Sequence, residues 1–199
     1  RIIDLAYILT AVKSFDYSLL EDCLQGLVNG EPKTALKKFE KFVSAFNKEL
    51  NLQEINFNKN AECIPELEYC FYFLHSKADI ASALINRVSS KRENCTIIIA
   101  RKNPNGIIGL NARRQDWKIA VNELLEKAVK GLKEASAGGH APAAGGKIQA
   151  KDLKKFKKRV LEILGRKICF TALASEKSLA KDWLSKKEGK AWKKLELMN

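Results

Sequence analysis

Histidine is nearly absent from this chain: two among 199 residues, His75 and His140. Two imidazoles cannot furnish a polyhistidine metal centre. The seven aspartates (Asp4, Asp16, Asp22, Asp79, Asp116, Asp152 and Asp182) offer no substitute, because none adjoins a histidine and none forms a D-x-D pair. Five cysteines (Cys23, Cys63, Cys70, Cys95 and Cys169) are scattered without a C-x-x-C pair, which excludes a zinc ribbon and predicts free thiols in a reducing compartment. No run of about 18 apolar residues exists, so no helix is expected to span a membrane. No signal-peptide pattern, Walker loop or Ser/His/Asp arrangement is present, and a cytoplasmic location is expected. These residues therefore hold no recognisable catalytic or metal-binding centre.

What is abundant is positive charge, unevenly placed. The net charge is +13; residues 1–60 are neutral overall, residues 61–146 carry +3, and residues 147–199 carry +10. Such asymmetry suits a polyanion-binding surface, although a solvated lysine-rich face reads the same way.

Apolar spacing predicts helices over the first 50 residues. Ile2, Leu5, Leu9 and Val12 share one face; Leu19, Leu20, Cys23, Leu24 and Leu27 share another, ending at Asn29-Gly30. Pro32 opens a third helix with Leu36, Phe39, Phe42, Val43 and Phe46. The Asn-rich stretch 51–65 reads as a linker. Beyond it, Leu67 to Leu74 reads as a buried strand, and Asp79 as the cap of a helix with Ile80, Leu84, Ile85 and Val88 inward. Thr96 to Ala100 is a β-branched run of the central-strand kind. Asn103-Pro104-Asn105-Gly106 turns it into a second strand, Ile107 to Ala112. A long helix is expected from Asp116 to Lys133 and a basic one from Lys151 to Leu164, with Leu153, Phe156, Val160 and Leu164 inward. A further strand is expected at 168–173 and a helical tail from Glu176. The fold class is α/β: a helical N-terminal segment, 1–60, followed by a mixed-sheet domain, 61–174, and a tail, 175–199.

Between the last two helices of the domain lies Gly138-Gly139-His140-Ala141-Pro142-Ala143-Ala144-Gly145-Gly146. We expect a flexible loop here, whose amides, with the N-terminus of the next helix, hold a phosphate. His75 is expected to be structural. Trp117, Trp183 and Trp192 fit either the core or base stacking.

The order strand, helix, strand, turn, strand ending in Asn111-Ala112-Arg113, long helix, G-G-H-x-x-A-A-G and basic helix resembles the nucleic-acid-binding domain appended to DHH phosphoesterases. That superfamily includes RecJ-like exonucleases, and the resemblance covers a little over half the chain. It implies that Gly138, Gly139, His140 and Arg113 bind a substrate phosphate, with Asn111 standing where the family usually has serine, and Pro142 lying inside the loop. Arg114, Lys154 and Lys158 are further candidate contacts. It also implies single-stranded DNA or RNA as partner, a catalytic DHH domain holding Mn or Mg outside these residues, and a chain inactive by itself. As the first residue is Arg1, a fragment of a longer nuclease is expected. A helicase, a replication factor or a second copy of the chain are further expected partners, the alternative function being a protein-docking module or an oligonucleotide or cyclic-dinucleotide phosphodiesterase.

Overall fold

The computed structural model describes residues 2–29 and 32–166. The expected strand at 168–173, the tail with Trp183 and Trp192, and Cys169 lie outside the described residues. Three helices come first: α1 (Ile2–Phe15), α2 (Leu20–Asn29) and α3 (Pro32–Asn60). They are followed by β1 (Glu62–Ile64), β2 (Tyr69–Phe73), α4 (Ala81–Ser89), β3 (Thr96–Lys102) and β4 (Ile107–Arg113). Then come α5 (Val121–Val129), β5 (Ser136–His140), β6 (Ala143–Gln149) and a helix α6 over 153–166. The six strands form one mixed sheet in the order β1-β2-β3-β4-β6-β5. Only β2 and β3, joined through α4, run parallel. The α/β class expected from the sequence is what the chain adopts.

Side chains alternate across a sheet, so each face collects its own core. On one face Tyr69, Phe71, Ile98, Ala100, Ile108, Leu110, Ala112 and Ile148 pack against α5 and against Phe156, Val160 and Leu164 of α6. On the other, Cys70, Tyr72, Ile97 and Ile99 pack against Leu84, Ile85 and Val88 of α4 and Phe46, Leu50 and Phe57 of α3. Strand β3 is covered on both sides, which is why its apolar run is continuous. In β4 the residues Ile108, Leu110 and Ala112 are buried while Ile107, Gly109, Asn111 and Arg113 are only half-buried. Its second face is thus incompletely covered, and β6 and β5 lie beyond it.

Several expectations fail for identifiable reasons. Residues 51–60 are the last turns of α3, not a linker: Phe57 is fully buried against the sheet and Gln53 accepts from Tyr72 Oη at 2.9 Å. Tertiary packing outweighs the weak helix propensity of the asparagines. Leu24 faces solvent at 49% exposure, while Cys23 and Leu27 face inward. Asp79 does not cap α4, which begins after Ile80 without a side-chain cap; its carboxylate pairs with Arg101 at 2.7 Å. The helix expected from Asp116 starts only at Val121, because Asp116 is engaged by Arg114 and Trp117 adopts a positive φ of 61°. Trp117 is 68% exposed and not core. Cys63 and Cys70 are not free thiols but a disulfide joining directly opposed positions of β1 and β2; Cys23 and Cys95 remain buried thiols. No helix among the described residues is long and apolar enough to cross a membrane.

Candidate functional site

The glycine-rich stretch is not a loop. It is the β5–β6 hairpin, with His140 paired to Ala143 and Gly138 to Gly145, turning at Ala141-Pro142. The chain leaves that turn as a strand, so no helix N-terminus is added to it. The turn is fastened from both sides: the Arg114 amide donates to the Pro142 carbonyl at 3.0 Å, and the Val121 amide to the Ala141 carbonyl at 2.8 Å. Pro142 therefore contributes an acceptor the fold uses, and its missing N–H leaves no bond unmade.

The glycines divide into two classes. Gly139 has φ +141°, and a Cβ there would lie 2.7 Å from the Ala143 carbonyl oxygen and from the Ala144 Cα. At Gly146 a Cβ would lie 2.9 Å from the Ser136 carbonyl oxygen. Both are demanded by close strand pairing. Around Gly138 nothing lies within 4 Å, and at Gly145 only the Leu110 carbonyl oxygen, at 3.6 Å. Neither is required by packing; both are exposed. Their effect is to leave the backbone bare on one side of the hairpin.

That side is the incompletely covered face of the sheet. Cross-strand partners share a face, so Asn111–Gly145–Gly138 and Arg113–Ala143–His140 form two rows upon it. Between these rows and α4 lies a cleft of about 250 Å³ lined by Ser82, Asn86, Asn111, Arg113, Ala143 and Gly145, among others. The Arg113 Nη1 donates to Asn86 Oδ1 at 2.6 Å, which fixes the guanidinium. Its Nε is buried without a hydrogen-bond partner. A buried donor on a charged group that lacks a partner carries a desolvation cost that nothing in the fold offsets. Sequence reasoning finds Arg113 and the glycines but not Asn86 or Ser82, which come from α4 and carry no signal in the sequence. Lys147 also belongs to this face, through its register with Gly109 and Ser136.

The other candidates lie elsewhere. Arg114 is 1% exposed. Its Nε meets Asp116 Oδ1 at 2.7 Å, its Nη1 meets Thr96 Oγ1 at 3.2 Å, and its Nη2 pairs with Glu68. Burial alone would lower its pKa, but these hydrogen bonds outweigh burial and hold the charge in place. Arg114 is a structural cation, not a surface contact for nucleic acid. Lys154 and Lys158 are exposed on α6, which covers the opposite face of the sheet, so they do not join the hairpin cleft. His75 is exposed at the end of β2; its ring packs on Phe73 at 5.0 Å and its carbonyl accepts from Gln53 at 2.9 Å. Among the described residues no group of three or more His, Cys, Asp or Glu is placed to hold a metal ion.

The family model of the DHHA1 domain matches residues 68–166. This chain carries a DHHA1 domain. It is similar in fold to RecJ of Thermus thermophilus in complex with Mn2+, at TM-score 0.64 and 16% identity over 81% of this chain and 24% of RecJ. It is likewise similar to exonuclease RecJ bound to manganese, at TM-score 0.54 and 16% identity over 67% of this chain and 32% of that one. A third likeness is to the pGpG-specific phosphodiesterase PggH of Vibrio cholerae, at TM-score 0.50 and 13% identity over 75% and 51% of the two chains. The chain spans only about a quarter of the Thermus RecJ. None of the curated protein sequences matches it. The DHHA1 match begins at Glu68, so α1–α3 precede the family segment while sharing its core.

Proposed function

We propose that the β5–β6 hairpin and Arg113 form the substrate-gripping surface of a RecJ-like DHH phosphoesterase, holding single-stranded nucleic acid while a DHH domain cleaves it. The observation that carries this reading is Arg113, whose buried Nε has no hydrogen-bond partner and which lines one cleft with Gly145, a glycine that packing does not require. Arg113, oriented by Asn86, would bind a backbone phosphate. Gly138 and Gly145 would let that phosphate reach the sheet, and exposed His140 would donate a hydrogen bond to a phosphate oxygen at the rim. Divalent metal, Mn or Mg, would be held by the DHH domain and activate water there. The place of such a protein is repair or replication of nucleic acid.

The test is binding of a labelled single-stranded oligonucleotide by fluorescence anisotropy. Weak binding that falls steeply between low and high salt is expected. Arg113→Ala should reduce affinity by about tenfold or more, on the order of 1.5–3 kcal/mol for a charge-assisted contact. Salt-insensitive or absent binding overturns the reading. In the protein joined to its DHH domain, His140→Ala should lower turnover while leaving the unfolding transition in place.

A second reading, docking on a helicase, a replication factor or a second copy, is favoured by the exposed apolar residues Leu24, Val28, Leu52 and Ile55 of α2 and α3. A loss of self-association or partner binding in Ile55→Glu, with oligonucleotide affinity unchanged, would support it.

A further inference from the structure

Far from the hairpin, β1 is fastened to the sheet by the Cys63–Cys70 disulfide. The two sulfurs differ in surroundings: Cys63 is exposed, whereas Cys70 is 5% exposed. A groove of about 330 Å³ adjoins them and is lined by Cys63, Glu68, Cys70, Arg92 and Cys95, among others, the Glu68 carboxylate being paired with Arg114. The Arg92 Nη1 lies 3.8 Å from Cys70 Sγ. Its other described contacts are neutral: Asn58 Oδ1 at 3.1 Å and the face of the Phe57 ring at 5.1 Å. No carboxylate among these contacts consumes its charge, which remains available to a thiolate at Cys70.

We propose that this pair is a site of thiol–disulfide exchange, in which a low-molecular-weight thiol of the glutathione class adds to Cys63 and Cys70 leaves as a thiolate beside Arg92. The attacking thiolate supplies the electron pair of the new S–S bond to Cys63 Sγ. The Cys63–Cys70 bond breaks, and its electron pair goes to Cys70 Sγ. A second thiol removes the adduct as its own disulfide and leaves Cys63 reduced. The asymmetry follows from access and leaving-group stability: the exposed sulfur is attacked, and the sulfur next to a cation departs. Cys95, in the same groove, does not compete as the nucleophile, since burial pushes its thiol up from the ordinary value.

Arg92 also connects the site to the fold. It reaches Asn58 and Phe57 in the last turns of α3, and β1 is the short strand that links α3 to β2. Opening the disulfide removes the covalent clamp of that strand and leaves three residue pairs, the Glu62–Lys157 ion pair and the packing of Ile64 to hold it. Helices α1–α3 would then be less firmly coupled to the DHHA1 sheet in the reduced state.

The experiment is brief incubation of the full 199-residue chain with reduced glutathione, quenched with acid before a second thiol removes the adduct, followed by peptide mass analysis. A single glutathionyl group on Cys63, and none on Cys70 or Cys95, is expected. Arg92→Gln should slow formation of the adduct by about threefold to tenfold, with an unchanged circular dichroism spectrum. Should that variant not fold, Cys63→Ser provides the second measurement. Ultraviolet thiolate absorbance should then show one group titrating below the ordinary cysteine value of about 8.5. An adduct on Cys70 or Cys95, an intact disulfide after prolonged exposure, an equal rate in folded Arg92→Gln, or no depressed titration in Cys63→Ser would overturn the proposal.

Discussion

At Gly139 the backbone itself requires glycine, with φ +141° and no room for a Cβ; at Gly138 it does not. Gly139→Ala should therefore cost on the order of 2 kcal/mol or more in chemical denaturation, the cost of strain together with displaced backbone. Gly138→Ala should leave the denaturation midpoint nearly unchanged. A bulkier Gly138→Val should weaken oligonucleotide binding without comparable loss of stability. Equal destabilisation at both positions would reduce the glycine strip to a packing device. Arg114 makes the opposite case, a cation whose function is internal. Arg114→Ala strands the carboxylate of Asp116 and the hydroxyl of Thr96, and a loss of about 3–5 kcal/mol is expected, measurable as a lowered denaturation midpoint. The hydrogen bond from Arg114 holds the Asp116 carboxyl below its ordinary value. Its contribution is fully present above the unfolded-chain value of about 3.9 and is lost as pH falls through the lower folded value. Asp116→Asn should thus be less stable than the parent at neutral pH, and the gap should close in acid below about pH 4. A gap that persists unchanged in strong acid, at about pH 2, would contradict that assignment.

Elements decide which charges act together. Strands β4, β6 and β5 bring Arg113, Asn111, His140 and Lys147 onto one face, whereas α6 displays Lys154 and Lys158 over the other. Oligonucleotide held at the hairpin should feel the α6 lysines only through screened, longer-range attraction. Reversing both (Lys154→Glu with Lys158→Glu) should weaken binding at low salt and have little effect near physiological salt. Arg113→Ala should reduce affinity in both conditions. If the lysine pair proves the more damaging at physiological salt, the bound strand lies on α6 and not on the hairpin.

The described residues form one sheet with a core on each face and a third apolar cluster among α1, α2 and α3, and the helices that precede the DHHA1 segment complete one of the two cores on the sheet. Phe46, Leu50 and Phe57 of α3 cover the same face as α4. Removal of residues 1–60 should therefore expose Ile97 and Tyr72, and yield a protein that aggregates or melts at a markedly lower temperature, as seen by calorimetry. A truncated chain melting where the full chain does would show that α3 is dispensable.

Local patterning along the chain was enough to set most of the element order, the α/β class, the inward faces of α4 and α6, and the singling out of the glycine stretch around His140. Periodicity, β-branched runs and glycine content carry these, and all of them are read over a few neighbouring residues; Arg113 as a phosphate contact came from the resemblance to the DHH-associated domain. Patterning did not distinguish Arg113 from Arg114, because adjacent residues of a strand point to opposite faces only once the strand and its end are known. It did not reveal the Cys63–Cys70 pairing, which depends on the register of β1 against β2, or Asn86, which reaches Arg113 across 27 positions. The glycine stretch reads locally as a loop and pairs as a hairpin because backbone hydrogen bonding to a neighbouring strand depends on the rest of the fold. Long-range packing alone placed its open side on the incompletely covered face beside Arg113, since coverage of a sheet depends on where distant helices settle.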